Sequence, residues 1–161
     1  MEPEMIFSNE EEALLKRSFG EISADPRRAS QIFYKHLFQL APETRELFLN
    51  DMDRQGDKLI ATLSAVILQI NNLPGLKPVI EELGLRHVAY GVLPEYYPVT
   101  GAALFHMLES VLQESFSAEM KAAWEKAYAI ISHIMVMAVE NRKSLNRDIG
   151  NFSDSAEDFG I

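Results

Sequence analysis

Three polar side chains on otherwise apolar stripes mark where this chain is built to do chemistry. His87 follows Leu83 by four residues and Ile80 by seven, so its imidazole lies on the same helix face as Leu76, Val79, Ile80 and Leu83. An unpaired polar ring buried there would cost about 1–3 kcal/mol. Two partners meet that need: a backbone carbonyl, or a metal ion, for which neutral imidazole is a good ligand. Tyr34 brings a hydroxyl donor into a helix otherwise carrying Phe33, Leu37 and Phe38. Gln55 falls between Met52 and Leu59, either as an amide within the stripe or at its solvent edge. His36, His106 and His133 have no comparable motif around them, and His36, two residues from Tyr34, points to a different face.

The elements that must position these residues are well punctuated. Ser8-Asn9-Glu10-Glu11 fits a capping box and opens a first helix through Ala13, Leu14, Ser18 and Phe19. Asp25-Pro26 opens a second, with Asp at the cap and Pro at the first helical position, and this helix holds Tyr34. Ala41-Pro42 begins a short third segment ending at Phe48. Asn50 or Asp51 caps the fourth, which carries Gln55, Leu59, Leu63, Val66 and Ile70. Leu73-Pro74-Gly75 separates it from the His87 helix, which Gly91 and Pro94 terminate. A helix through Val99, Ala103, Met107 and Val111 follows, and Ser117 caps the last, through Trp124, Tyr128, Ile131, Met135 and Ala138. With no alternating strand pattern, the expected class is all-α, with seven to eight helices. Residues 1–143 form the domain; 144–161, polar and without periodicity, are expected to be an acidic, largely disordered tail, whose Phe152, Phe159 and Ile161 leave docking open.

Composition narrows the partners. A chain of 161 residues with 47% hydrophobic content makes one domain with its own core. It has no cysteine, which removes thiol catalysis, iron–sulfur clusters and thioether-linked cofactors. A formal charge of −9 opposes nucleic acid and anionic membrane, both of which need a cationic surface. The N-terminus has no signal-peptide pattern, and no apolar run approaches the roughly 20 residues of a membrane span. A cytoplasmic protein is expected. There is no glycine-rich phosphate loop, His-Glu-x-x-His or nucleophile elbow.

The run from Leu83 to Tyr97, with Leu83-Gly84-x-Arg86-His87-x-x-Tyr90-Gly91-Val92 at its centre, resembles the proximal helix and following corner of a bacterial globin. Phe33-Tyr34-x-x-Leu37-Phe38, Ala41-Pro42-Glu43-x-Arg45-x-Leu47-Phe48 and Ala123-Trp124-x-x-Ala127-Tyr128 extend the likeness from about Glu11 to Ala138. The chain resembles single-domain bacterial haemoglobins, the haem domain of flavohaemoglobins and, more distantly, neuroglobin. The resemblance implies a globin fold around haem b, with His87 as the iron ligand, and reversible binding of dioxygen, CO and NO. It places Tyr34 and Gln55 on the distal side, Leu59 over the iron and Phe48 against the porphyrin. Arg54 and Lys58 are candidates to meet the haem propionates. Tyr97 matches the tyrosine that flavohaemoglobins set under the proximal histidine, where a glutamate makes the imidazole more electron-donating. This sequence departs there, with Val139 at the glutamate position and Glu140 one residue, or about 100°, further round the helix. By the residues alone Tyr97 is equally a core aromatic. Thr100 stands where relatives usually carry valine, adding a hydroxyl or acting as a near-isostere.

Three uses follow from such a pocket: an oxygen carrier or store, a nitric oxide dioxygenase served by an external reductase, and a haem-based gas sensor or interaction module. The last helix is apolar nearly all round, with Ile130, Ile131, Ile134 and Met135 on one face and Val136, Met137 and Val139 on others. Such a helix is deeply buried or shared between subunits, and a homodimer through it is expected.

Overall fold

The computed structural model describes residues 6–49 and 51–152, with backbone only for 149–152. Among the described residues it contains six α-helices and no strand: α1 (Asn9–Ala24), α2 (Pro26–Leu40), α3 (Met52–Leu68), α4 (Leu73–Ala89), α5 (Tyr96–Leu112) and α6 (Ala118–Phe152). Two 3-10 segments, Pro42–Leu47 and Gln113–Ser115, lie in the connections. The all-α expectation holds.

Local chemistry sets the ends. The Ser8 hydroxyl accepts from the Glu11 amide while the Glu11 carboxylate accepts from the Ser8 amide, a reciprocal box that satisfies two otherwise orphaned donors. Asp25 caps α2 with Pro26 at its first position. Asp51 caps α3, accepting from the Asp53 amide; Asn50, the other candidate, lies outside the described residues. Gly91 takes φ +91 just beyond α4, a left-handed conformation that costs glycine nothing.

The helices lean on one another in two groups. α4 packs on α6, α2 packs on α5 and α3, and α1 ties α6, α3 and α5 together. The α1–α6 contact is centred on Ser18, fully buried, whose hydroxyl accepts from Trp124 Nε1 at 2.8 Å and donates to the Leu14 carbonyl. α3 and α4, adjacent in sequence, are not among the closely packed pairs. Each is held to a different neighbour by a glycine. A methyl on Gly84 of α4 would lie 2.7 Å from the Met135 carbonyl of α6, and one on Gly56 of α3 would lie 2.8 Å from Ser30 Cβ of α2.

One expectation about the last helix changes. Helix α6 does not stop near Ser144 but runs on through Phe152, because extending an existing helix fixes one residue per hydrogen bond gained. Residues 141–148 are exposed on it, and 153–161 lie outside the described residues. Its all-round apolar character is also largely explained within one chain. Met135, Ala138 and Val139 are buried, Ile130, Ile131 and Ile134 half-buried, and Met137 is 42% exposed, so packing on α1 and α4 uses most of the surface from which a shared helix is inferred.

The crossing at Gly84 gives a paired test. Gly84→Ala gains roughly 1 kcal/mol of helix propensity but sets a methyl against backbone that cannot step aside, an overpacking of about 1–3 kcal/mol. We expect a net loss of up to about 2 kcal/mol in urea unfolding. Gly20→Ala, on exposed α1 with nothing within 4 Å of the added carbon, should instead stabilise by up to about 1 kcal/mol. Equal responses at the two positions would show that α4 is not held at Gly84.

Candidate haem site

His87 reaches its position because α4 is pressed onto α6 one turn earlier, at Gly84. Its Nδ1 lies 2.7 Å from the Leu83 carbonyl oxygen. A carbonyl only accepts, so Nδ1 carries the proton, and the neutral ring then has its lone pair on Nε2. The ring is half-buried. The two partners that fit the sequence are therefore not rivals: the carbonyl takes one nitrogen and leaves the other for a metal.

The second centre is built where α2 crosses α3. Ser30 against Gly56 brings the two backbones close, and one turn along α2 from Ser30 is Tyr34. Gln55 Nε2 donates to the Tyr34 hydroxyl oxygen at 3.3 Å. That oxygen's own proton remains available to a further acceptor. Tyr34 is 7% exposed, and burial raises its pKa, opposed by the Gln55 hydrogen bond, so it stays a protonated donor at any physiological pH. Its ring is held edge-on by Phe33 at 4.9 Å and by Phe48 at 5.2 Å, with Phe38 stacked at 5.9 Å. Such pairs restrain the ring beyond simple area burial.

The remaining candidates are distributed around these two centres. Phe48 and Leu59 are half-buried against the core, Phe48 at the end of the 3-10 segment beside Tyr34. Leu47 in that segment lies 3.3 Å from where a Gly91 Cβ would sit, so the corner after α4 meets the corner before α3. Arg54 and Lys58 are exposed on α3 and make no ion pair among the described residues. Thr100 donates its hydroxyl to the Tyr96 carbonyl at 2.8 Å, so that proton is committed to its own helix. Tyr97 is half-buried and burial raises its pKa, but no hydrogen bond joins it to His87 among the described residues. Val139 is buried, whereas Glu140 is exposed and pairs with Lys143 at 3.6 Å, away from the imidazole. A tyrosine–glutamate relay to His87 is thus not assembled.

Three residues, Tyr128, Gly56 and Gly101, have positioning roles that the sequence does not reveal. Tyr128 of α6 donates its hydroxyl to the Tyr97 carbonyl, across Gly101, where a methyl would lie 2.9 Å from the Tyr128 ring. This bond fixes the start of α5. Gly56 and Gly101 carry no local signal as interior helix glycines; only the helix that passes over each gives it meaning.

The matched residues 31–135 correspond to the globin family model, and the chain belongs to the globin family. Flavohemoprotein A of Dictyostelium discoideum is 27% identical over 160 residues, covering 95% of this chain and 39% of that protein. The flavohemoprotein of Bacillus subtilis is 31% identical over 107 residues, 65% of this chain and 27% of that one. The chain therefore spans well under half the length of either. Among solved structures, an engineered carbene transferase bearing a nitric oxide dioxygenase designation, from Rhodothermus marinus, aligns with TM-score 0.75 at 26% identity, covering 87% of this chain and 99% of that one. A bacterial globin from Campylobacter jejuni gives TM-score 0.74 at 22% identity, with 85% and 99% covered. None of the described helices is long and apolar enough to cross a membrane.

Family membership makes haem the group this site would hold, and the residues fit it. The His87 Nδ1 proton is already taken by Leu83, which leaves Nε2 as a donor atom of the right kind for iron. Leu59 and Leu63 on α3, Leu83 on α4 and Val92 after it are half-buried, and α3 and α4 are not packed together. These apolar faces suit a flat, largely apolar ring system.

Two outcomes follow. His87→Gly should lose the ferrous and carbon-monoxide spectra of the reconstituted wild type, and added imidazole should restore them in part; an unchanged spectrum without imidazole would place the ligand elsewhere. For Tyr128, burial pushes the hydroxyl from 10.0 up to about 12. Between those values the native state holds a proton that the unfolded chain has released, so this stabilisation is complete below pH 10 and disappears as pH rises towards 12. About two pKa steps correspond to roughly 2–3 kcal/mol. Urea midpoints measured from pH 9 to 12 should fall less steeply in Tyr128→Phe than in wild type, and parallel curves would exclude the assignment.

Proposed function

We propose that this chain is a haem-b globin that reversibly binds dioxygen. The observation that carries the reading is the Gln55–Tyr34 hydrogen bond, which turns the tyrosine hydroxyl into a directed donor within an apolar setting. Non-covalent haem b is the form compatible with a chain that contains no cysteine. When bound, haem supplies the iron at which a diatomic gas is held.

The protein's own residues decide which gas is retained. Leu83 holds the His87 proton on Nδ1 and orients the ring, so Nε2 is presented without a competing hydrogen bond. Gln55 occupies a lone pair of Tyr34 and leaves the hydroxyl proton to point at an acceptor. Bound dioxygen would carry partial negative charge and accept such a proton strongly, whereas carbon monoxide would be nearly neutral and accept it weakly. Phe48 and Leu59 bring apolar surface that excludes competing water. Gln55 is a poor iron ligand and so leaves the gas position open.

A hydrogen bond to a charged acceptor contributes about 1.5–3 kcal/mol, and about 1.4 kcal/mol is a factor of ten. Tyr34→Phe should therefore raise the dioxygen dissociation rate by about ten- to a hundredfold. Gln55→Leu should have a smaller effect, because it removes the residue that orients the donor rather than the donor. Carbon monoxide dissociation should change little in either. Stopped-flow dissociation of both gases decides it, and an unchanged dioxygen rate in Tyr34→Phe would mean that the hydroxyl does not face the gas.

A further inference from the structure

A groove along α2 shares Tyr34 with the chemistry above, and its other lining residues take no part in that chemistry. It is an open depression of about 410 Å³ between α2, the 3-10 segment and the start of α3. Its apolar walls are Tyr34, Phe38 and Met52, and its charged side chains are Lys35 and Arg45. The other two lining residues, Gln31 and Gln39, are neutral amides, so no carboxylate lines it. The volume falls within the range of small-molecule sites, which are commonly apolar with a few placed polar groups.

Two cations border the groove. The chain carries a formal charge of −9, yet Lys35 and Arg45 make no ion pair among the described residues. Arg45 is exposed but not loose: its guanidinium lies 5.0 Å over the Phe38 ring. Stacking holds the planar fork in one orientation, and a fork already oriented loses less freedom when it accepts a partner. A carboxylate is the group that matches it with two parallel hydrogen bonds. The walls ask for a different kind of surface. Tyr34 and Phe38 offer ring faces and edges, and Met52 a polarisable side chain that adapts to aromatic surface.

We propose that this groove binds an aromatic monocarboxylate, with the carboxylate on Arg45, assisted by Lys35, and the ring against Phe38, Tyr34 and Met52. A polyanion is a poor match, since only two cations face the groove in a strongly acidic protein. The groove shares the Tyr34 ring with the gas reading but makes no use of its hydroxyl, so carboxylate binding is read out separately from gas binding.

The test uses the full chain, haem-loaded and saturated with carbon monoxide so that the gas position is filled, with 2-naphthoate as probe. Calorimetric titration should give saturable one-site binding. Arg45→Gln should weaken it by about tenfold and Lys35→Gln by about threefold, the values for a charge-assisted bond and an exposed charge. Neutral 2-naphthamide should bind at least about tenfold more weakly than 2-naphthoate. Arg142→Gln, on the exposed end of α6, should bind like wild type. All three charge variants should keep the wild-type circular dichroism. Absence of saturable binding at millimolar 2-naphthoate would overturn the proposal, as would equal affinity in wild type and Arg45→Gln, or naphthamide binding as tightly as naphthoate.

Discussion

A cleft between two apolar helix faces survives only if something prevents the faces from closing on each other. In this protein the constraint comes from behind. Gly84 lets α4 approach the α6 backbone, and Gly56 lets α3 approach α2, so each wall is tethered on its far side. Packing energy that would otherwise draw α3 and α4 together is satisfied by α6 and by α2. The faces that remain, with Leu59, Leu63 and Leu83 half-buried, are the ones a haem would meet. The same two crossings also place the chemistry, because His87 lies one turn beyond Gly84 and Gln55 directly precedes Gly56.

The proximal and distal groups share a design principle. Each has two hydrogen-bonding sites, and each has one of them occupied by the protein. Leu83 takes the Nδ1 proton of His87, and Gln55 donates to the oxygen of Tyr34. Fixing the first site defines what the second is able to offer: a lone pair on one side, a proton on the other. Neither group needs a shifted charge state to act. Val139, where the resemblance would put an acid, is buried.

Much of the architecture is legible in the sequence because it is local. Ser8 with Glu11, Asp25 with Pro26, and Gly91 with Pro94 mark helix boundaries within a few residues of one another. His87, Tyr34 and Gln55 stand out because each breaks an apolar stripe. What the sequence hides depends on which helix passes over which. Gly56, Gly84 and Gly101 look like mild helix defects until Ser30, Met135 and Tyr128 are set against them. The hydroxyl of Thr100 is ambiguous in sequence because its acceptor, the Tyr96 carbonyl, is indistinguishable from any other backbone oxygen. The end of α6 is misread for another reason: polar composition signals the loss of core contacts, and here the helix outlasts them.

That outlasting has a consequence for how α6 behaves along its length. A helix of 35 residues is about 50 Å long at 1.5 Å per residue, whereas a compact chain of this size has a radius of gyration near 15 Å. The middle of α6 is clamped by Trp124, Ala127 and Met135, all buried, and opens only when the whole molecule does. Residues 141–148 are exposed, with little beyond their own backbone ladder, solvent and the Lys143–Glu140 ion pair. The helix is continuous in hydrogen bonding but not in protection: its inner amides are shielded from exchange by the global unfolding free energy, its outer ones by little more than helix–coil fraying. One element thus spans nearly the full range of local stability in the protein, and a mechanical or chemical perturbation at its far end is absorbed by unwinding before it reaches the pocket.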